Sequence, residues 1–251
     1  MQETPERPPA LLRRVLDHGY VALVDVMGDD LRPAKTARTS FAGNRKKRER
    51  EKDLKLTRFL MREGHTTPIE FNQLLFYMHL PLFVAAQIVR HRTASINQIS
   101  YRYVEAKEQF YVPAVDRMNK ASKDKKQGSS DVAIEDPTRY RGLMLESQKA
   151  SFEAYQDLLA VGLAPELARV VLPQGTYTEW YWQMDLHNLQ HFLSKRLAPD
   201  AQYETRQYAL AVLQLTYKAF PDITANWADL HGYGEILAEQ ILQPIEEVEG
   251  L

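Results

Sequence analysis

The segment from Arg90 to Tyr103 constrains this chain more than any other stretch. It contains three arginines, one histidine, two serines, one asparagine and one glutamine, and no acidic residue occurs between Glu70 and Glu105. Arginine carries a rigid set of donors suited to phosphate and carboxylate oxygens, and serine and amide side chains can bond to the edges of a ring. The chain must therefore fold so that this segment meets an anionic partner. We interpret the segment as a site for a phosphorylated heterocycle.

Two other interpretations of the segment stay open. It can be a basic surface loop that is neutralised by Glu70, Glu105 or acids elsewhere, because charge runs usually lie on solvated faces. It can also bind RNA, with Tyr101 and Tyr103 as stacking surfaces. A colourless protein with strongly salt-dependent RNA affinity would favour this second interpretation. The net charge of −1 argues against it.

The overall composition is that of an ordinary globular protein, with 44% hydrophobic and 26% charged residues in a chain of 251. This length suits one large domain or two small ones. No apolar run reaches membrane-spanning length, and the polar, proline-rich stretch Met1–Pro9 lacks the core of a signal peptide. We therefore expect a cytoplasmic protein that binds neither membranes nor nucleic acid, with a flexible arm over residues 1–9.

Cysteine is absent from the chain. This excludes disulfides, thiolate metal sites and every mechanism that needs a cysteine nucleophile. His187 and His191 are four residues apart and share one face of a helix that Asp185 can cap. Such a pair can bind zinc, but the metalloprotease pattern has a glutamate after the first histidine, where this chain has Asn188. We predict no metal site.

Hydrophobic periodicity and turn residues predict an α+β fold without internal repeats. Strands are predicted over residues 20–27, 69–80 and 176–182. Helices are predicted over 31–40 with Asp30 as the N-cap, over 82–89, 208–219 and 236–242, before Gly64, Gly162 and Pro173, and after Asp185. Residues 114–137 are expected to form an exposed, mobile loop, and the charge run over 44–58 a solvated loop and helix start rather than a nucleic-acid signal.

The opening segment also matches a family pattern. It fits, without a gap, the pattern R-H-R-x-x-S-x-N-x-x-S-x-R of the flavin-dependent thymidylate synthases. The seven fixed places hold Arg90, His91, Arg92, Ser95, Asn97, Ser100 and Arg102. Seven specified residues in thirteen positions are far less frequent by chance than a three-residue glycine motif. Further segments that resemble the family, in the same order, are 20–30, 63–68, 87–90, 168–173 and 185–196. The chain is thus similar to this family over most of its length.

The resemblance implies a single α+β domain over residues 10–251, with a mostly antiparallel sheet flanked by helices. It also implies a homotetramer that contains FAD and has its active sites between subunits. Such enzymes convert dUMP to dTMP by reductive methylation, with methylenetetrahydrofolate as carbon donor and NADPH as reductant of the flavin. The lack of cysteine agrees with this route, because ordinary thymidylate synthases attack the pyrimidine with a cysteine thiolate. A different flavoenzyme on the same scaffold is a further alternative.

The resemblance assigns roles to residues by position. Flavin contacts are expected from His65, Thr67, Arg90, His91, Arg92, Gln98, Asp185, His187 and His191. Contacts to dUMP are expected from Gln87, Arg90, Gln98, Ser100, Arg102, Arg169 and Arg196, with Arg102 and Arg169 near the phosphate. Arg196 matches the catalytic arginine that faces the uracil ring and favours ionisation at N3, a role suited to a permanent cation. Ser95 is expected to form hydrogen bonds rather than to act as a nucleophile, because no partner acid is identifiable nearby.

Overall fold

A six-stranded antiparallel sheet is the main feature of the chain, whose residues 9–41, 49–123 and 128–251 are described in a computed structural model. Its strands are β1 (Ala10–Val15), β2 (Gly19–Met27), β3 (Gln73–Pro81), β4 (Ser95–Gln98), β7 (Tyr177–Asp185) and β8 (Glu246–Val248). Their order in the sheet is β4-β7-β3-β2-β1-β8, and every neighbouring pair is antiparallel. A separate two-stranded sheet pairs β5 (Asn119–Ala121) with β6 (Ser129–Ala133).

Helices α3, α6 and α7 contact strands of the main sheet, and further helices pack around them. The helices of the described residues are α1 (Arg32–Ala37), α2 (Arg50–Arg62), α3 (Leu82–Ile88), α4 (Pro137–Ala160), α5 (Pro165–Ala168), α6 (Leu186–Arg196), α7 (Tyr203–Ala219), α8 (Pro221–His231) and α9 (Gly234–Gln240). The combination of helices with an antiparallel sheet confirms the predicted α+β fold class. Within the described ranges, no helix has both the length and the apolar character needed to cross a membrane.

The core forms where alternate strand residues meet helices α6 to α8. Phe76 and Met78 on β3 are fully buried, and β7 places Trp182 opposite Phe76 and Trp180 opposite Met78. Successive side chains of a strand point to opposite faces, so all four lie on the helix-covered side. Helix α7 is buried on several sides, as expected for a helix surrounded by core. This packing holds α6 rigidly against the sheet.

One predicted helix cap is wrong. Asp30 does not cap α1, whose N-cap residue is Leu31 without a side-chain hydrogen bond. Instead Asp30 is buried, and its Oδ1 accepts a hydrogen bond from the amide of Ile223 at 2.9 Å, in the first turn of α8. Burial raises the pKa of the Asp30 carboxyl although backbone amides lower it. The residue therefore caps a helix that is remote in the sequence, and no pattern had predicted α8.

Several predicted boundaries also change. The strand expected over 69–80 starts late, because Ile69–Phe71 is a 3-10 turn closed by the bond from the Asn72 amide to the Ile69 carbonyl oxygen at 3.1 Å. The helix expected over 31–40 ends at Ala37 and continues as a 3-10 turn. Gly64 follows the end of α2 with a φ of 72°, the left-handed conformation that the predicted helix end requires. Strands β1, β4 and β8 were not predicted.

Residues 114–137, predicted to be a loop, contain secondary structure. They include a 3-10 turn, strands β5 and β6, and the start of α4. Asp136 caps α4, because its side chain accepts a hydrogen bond from the amide of Arg139. The predicted N-terminal arm over 1–9, except its last residue, and residues 44–48 of the charge run lie outside the described residues.

Candidate active site

The segment Arg90–Tyr103 folds along an edge of the main sheet. Helix α3 ends at Ile88, where the amide of His91 donates to the Ile88 carbonyl oxygen at 3.0 Å. Strand β4 then pairs with β7 and forms the edge of the sheet. A second turn follows, in which the amide of Tyr103 donates to the Ser100 carbonyl oxygen at 2.9 Å. The unpaired side of an edge strand leaves backbone donors and acceptors open. The side chains of Ser95 and Asn97 on β4 are exposed as well, so a ligand can reach them.

The arginines of this segment are exposed and only partly neutralised. Arg102 forms an ion pair with Glu166, with 3.0 Å between Nη2 and Oε2. Among the described residues, neither Arg90 nor Arg92 forms an ion pair, and neither Glu70 nor Glu105 pairs with any arginine. The acids named in the surface-loop interpretation therefore do not neutralise the segment. Two guanidinium groups stay available for an anion.

Arg196, at the end of α6, is held by two neutral acceptors. Its Nε donates to Nε2 of His91 at 3.1 Å, and its Nη2 donates to the backbone oxygen of Gln87 at 3.0 Å. Burial, followed by the nearby charges of Arg196 and His191, lowers the pKa of His91 to about 4. His91 is therefore neutral near pH 7, and the Nε2 that accepts from Arg196 carries no proton.

Gln87 is itself fixed by its side chain. The hydroxyl of Thr205 donates to Gln87 Oε1 at 3.0 Å, and Gln87 Nε2 donates to the side-chain oxygen of Gln202. The chain of bonds continues, because Gln202 Nε2 donates to Glu204 Oε2 at 2.9 Å and the hydroxyl of Tyr111 donates to Glu204 Oε1 at 3.0 Å. These contacts tie the end of α3 to the start of α7. They hold the carbonyl that binds Arg196.

A cleft of about 260 Å³ lies beside this arrangement, between α2, α6 and α8. It is lined by His65, Thr66, His187, His191, Ser194, Trp227 and His231, among others. Asp185 caps α6, as predicted, with its Oδ1 accepting from the amide of Asn188 at 2.9 Å. Because His187 and His191 both face the cleft, the predicted shared helix face is confirmed. The ring centroids of His91 and His191 are 6.2 Å apart, so the cleft adjoins the Arg196 site.

Comparison with known proteins gives the same family as the resemblance. The family model of the thymidylate synthase complementing protein matches residues 22–222. A flavin-dependent thymidylate synthase of Thermus thermophilus is 46% identical over 207 residues, which cover 82% of this chain and 74% of the relative. The chain belongs to the flavin-dependent thymidylate synthase family. A second member, from Gluconobacter oxydans, is 44% identical over 84% of this chain and 70% of its own.

A solved structure of the UMP/dUMP methylase PolB from Streptomyces cacaoi, bound with 5-Br dUMP, has the same fold. Its TM-score is 0.78 with 31% sequence identity, and the match covers 86% of this chain and 97% of PolB. The same enzyme bound with 5-Br UMP matches with a TM-score of 0.73 and 32% identity.

The residues that family resemblance singles out fall into three groups. Gln87, His91 and Arg196 are in direct contact. His65, His187 and His191 line the cleft. Arg102 pairs with Glu166, which lies three residues before Arg169 in the chain. The other predicted site residues lie outside these three groups. Thr67, Arg90 and Arg92 are exposed. The Gln98 amide donates to the Thr178 hydroxyl at 2.8 Å, and the Ser100 hydroxyl accepts from the amide of Arg102 at 3.4 Å.

Several polar residues beside the predicted ones were not predicted. They include Gln202, Glu204 and Thr205 around Gln87, and Glu166 beside Arg102. No family motif covers the first three, which precede or begin α7 and have no local pattern that indicates a binding role. Glu166 could have been found, since it lies three residues before Arg169 in the helix predicted to end before Pro173.

FAD fits the chemistry of the residues present. Two unpaired guanidinium groups, at Arg90 and Arg92, suit a diphosphate, and they flank a histidine that adjoins the cleft. The rings of His65 and His191 line the cleft, are exposed, and can pack against a planar ring system. No group of three or more potential metal ligands occurs among the described residues. The guanidinium groups of Arg90 and Arg92 give the site a donor set that suits an organic anion.

Proposed function

We propose that this chain converts dUMP to dTMP by reductive methylation, with methylenetetrahydrofolate as carbon donor and NADPH as reductant. The observation that carries the proposal is the guanidinium of Arg196, half-buried and held by His91 and Gln87 at the end of the arginine-rich segment. Burial lowers the pKa of Arg196, but an arginine stays charged at neutral pH. A fixed cation in a partly desolvated site is what developing negative charge on a uracil ring requires.

Arg196 is the proposed catalytic residue. It would face the uracil ring, stabilise the anion formed when N3 loses its proton, and so make C5 reactive toward an electrophilic carbon. FAD, when bound, would supply the redox chemistry that turns the one-carbon unit into a methyl group. The expected flavin contacts are those assigned by resemblance, and the cleft beside His191 supports them.

The phosphate of dUMP would be bound by Arg102 and Arg169, with Gln87, Gln98 and Ser100 along the nucleotide. The ion pair between Arg102 and Glu166 is exposed on both sides, so a phosphate can compete for the guanidinium at small cost.

Ser95 is not the nucleophile in this proposal. Its nearest candidate base in the sequence, His91, uses Nε2 to accept from Arg196. A general base must have a free acceptor toward the proton that it removes. The engaged nitrogen therefore supports a binding role for Ser95.

Exposed apolar side chains support the expected homotetramer with sites between subunits. Val161 and Val170 are 81% and 78% exposed, and Leu167 is 56% exposed, close to the proposed phosphate arginines. Exposed apolar side chains that lie together commonly mark protein interfaces, and Leu167 and Val170 are three residues apart. Sedimentation equilibrium would distinguish four chains from one or two. A single domain over 10–251 and a cytoplasmic location stay predictions.

The test begins with a visible absorption spectrum of the purified protein, followed by an assay for dTMP with dUMP, methylenetetrahydrofolate and NADPH. A flavin spectrum and dTMP formation are expected. A protein that does not bind added FAD, and that binds RNA with strong salt dependence, would contradict the proposal and favour the nucleic-acid interpretation.

UMP is a second candidate substrate, because the structure of PolB with 5-Br UMP also matches this chain. The rates of product formation from dUMP and from UMP, each at the same concentration in this assay, distinguish the two substrates. Product formation from UMP alone would change the assigned substrate but not the reaction class.

The role of Arg196 is tested by Arg196→Ala. Removing one group that stabilises transition-state charge commonly costs about 10²- to 10³-fold in kcat, and the KM for dUMP should change much less. Lys195→Ala, which removes an exposed neighbouring cation on the same helix, is the matched control and should stay near wild type. An unchanged kcat in Arg196→Ala would remove Arg196 from the chemistry.

A further inference from the structure

The orientation of Arg196 depends on an unusual pair of partners. Arginines near a reacting group are often fixed by carboxylates, yet among the described residues Arg196 forms no ion pair. Its guanidinium donates hydrogen bonds to the imidazole of His91, at 3.1 Å, and to the backbone carbonyl of Gln87, at 3.0 Å. Neither partner is negatively charged. A carboxylate in either place would attract the guanidinium strongly and cancel much of its charge.

The His91 ring is held in place from several sides. Its edge packs against the ring of Phe192 at 5.0 Å between centroids, with the planes 80° apart, and Phe192 is fully buried. The ring of His191, which is on α6 like Phe192, lies 6.2 Å from the His91 ring between centroids. The backbone of His91 is fixed by the bond to Ile88 described above. An immobile ring can hold the arginine in one orientation.

We propose that His91 is a positioning residue, whose neutral Nε2 orients the guanidinium of Arg196 toward the pyrimidine without neutralising its charge. The inference rests on the proposed function and adds a role to a residue that the resemblance assigned only to the flavin. Nε of Arg196 donates to His91 and Nη2 donates to Gln87, so the N–H groups of Nη1 remain available to the substrate. The lowered pKa of His91 agrees, because a protonated imidazole could not accept this bond.

His91→Phe and His91→Gln separate this role from a structural one. Phenylalanine keeps a ring but has no acceptor, whereas the Oε1 of glutamine can lie near the place of Nε2. A hydrogen bond to a charged group predicts roughly a 10- to 100-fold loss of kcat in His91→Phe, with the KM for dUMP within about threefold of wild type. His91→Gln should recover most of the loss. His18→Phe, an exposed histidine outside the site, is the matched control.

A double-mutant cycle gives the decisive result. If His91 acts through Arg196, then His91→Phe combined with Arg196→Ala should be no slower than Arg196→Ala alone, because the interaction is already lost. Losses that multiply, or a His91→Gln variant as slow as His91→Phe, would overturn the inference. Because His91 is also an expected flavin contact, all rates are measured with FAD at saturation. A loss of kcat in His91→Phe that disappears at saturating FAD would overturn the inference.

The same experiments separate this inference from the proposed function. Arg196→Ala with wild-type kcat refutes the proposed catalytic arginine itself. A slow Arg196→Ala enzyme beside a wild-type His91→Phe enzyme refutes only the positioning role. If His91→Phe does not fold, a crystal structure of His91→Gln decides the question: Arg196 bonded to the glutamine oxygen supports the role, and Arg196 in a different orientation with full activity rejects it.

Discussion

The buried carboxylate of Asp30 provides a test of the fold that is independent of catalysis. Asp30 is 6% exposed and accepts from the amide of Ile223, itself 1% exposed, at 2.9 Å. In Asp30→Ala, water cannot easily replace the lost acceptor, so the first turn of α8 keeps an unsatisfied amide. Loss of a helix cap costs about 1–2 kcal/mol, and an unsatisfied buried donor about 1–3 kcal/mol. We expect unfolding to become easier by about 2 kcal/mol.

Asp30→Asn distinguishes the cap from the charge. The asparagine oxygen can still accept from the Ile223 amide, and burying a neutral amide costs less than burying a carboxylate. The cost of Asp30→Asn should therefore be well below that of Asp30→Ala. The raised pKa of Asp30 sets the sign of the pH dependence. The protonation-linked part of its contribution to stability is fully present below the unfolded-state pKa and is lost as pH rises through the folded-state pKa, whereas Oδ1 can accept from the Ile223 amide in either protonation state. Asparagine should remove this dependence.

Urea unfolding followed by far-UV circular dichroism, at one protein concentration, measures both variants. In a chain of this size, about 2 kcal/mol lowers Tm by roughly 4–8 °C. Asp25→Ala, which removes an exposed carboxylate from β2, should change the free energy of unfolding by less than about 0.5 kcal/mol. Equal losses in Asp30→Asn and Asp30→Ala would refute the capping role, as would an Asp30→Ala protein with wild-type stability.

Two further changes test the proposed nucleotide site. Arg102→Gln should weaken dUMP binding in calorimetry by roughly 10-fold or more. Glu166→Gln breaks an exposed ion pair and should alter the Kd for dUMP by less than about fivefold. A larger effect of Glu166→Gln would give that acid a direct role in binding. Thr205→Val removes the hydroxyl that holds Gln87 Oε1 and should raise the KM for dUMP by about 2- to 10-fold, with Thr205→Ser as the control that keeps the bond. An unchanged KM in the valine variant would show that this bond does not shape the site.

Local features of the chain were predicted where local physics determines them. The strand over 20–27, the helix end at Gly64 and the Asp185 cap depend on residues within a few positions of each other, and the structure confirms them. Strand β4 was missed although it lies inside the best-recognised segment. A four-residue edge strand with three exposed side chains has no hydrophobic alternation to reveal it.

The sequence alone determined the family, through an ungapped pattern of chemically specific residues, and with it the types of side chain at the site. Only the tertiary structure decided how those side chains are used. His91 meets Arg196 across 105 residues, and Asp30 meets the start of α8 across 193. Such pairs depend on which strands lie side by side and which helices cover them. That arrangement is a property of the whole packed chain, so no local pattern around His91 or Asp30 could specify their partners.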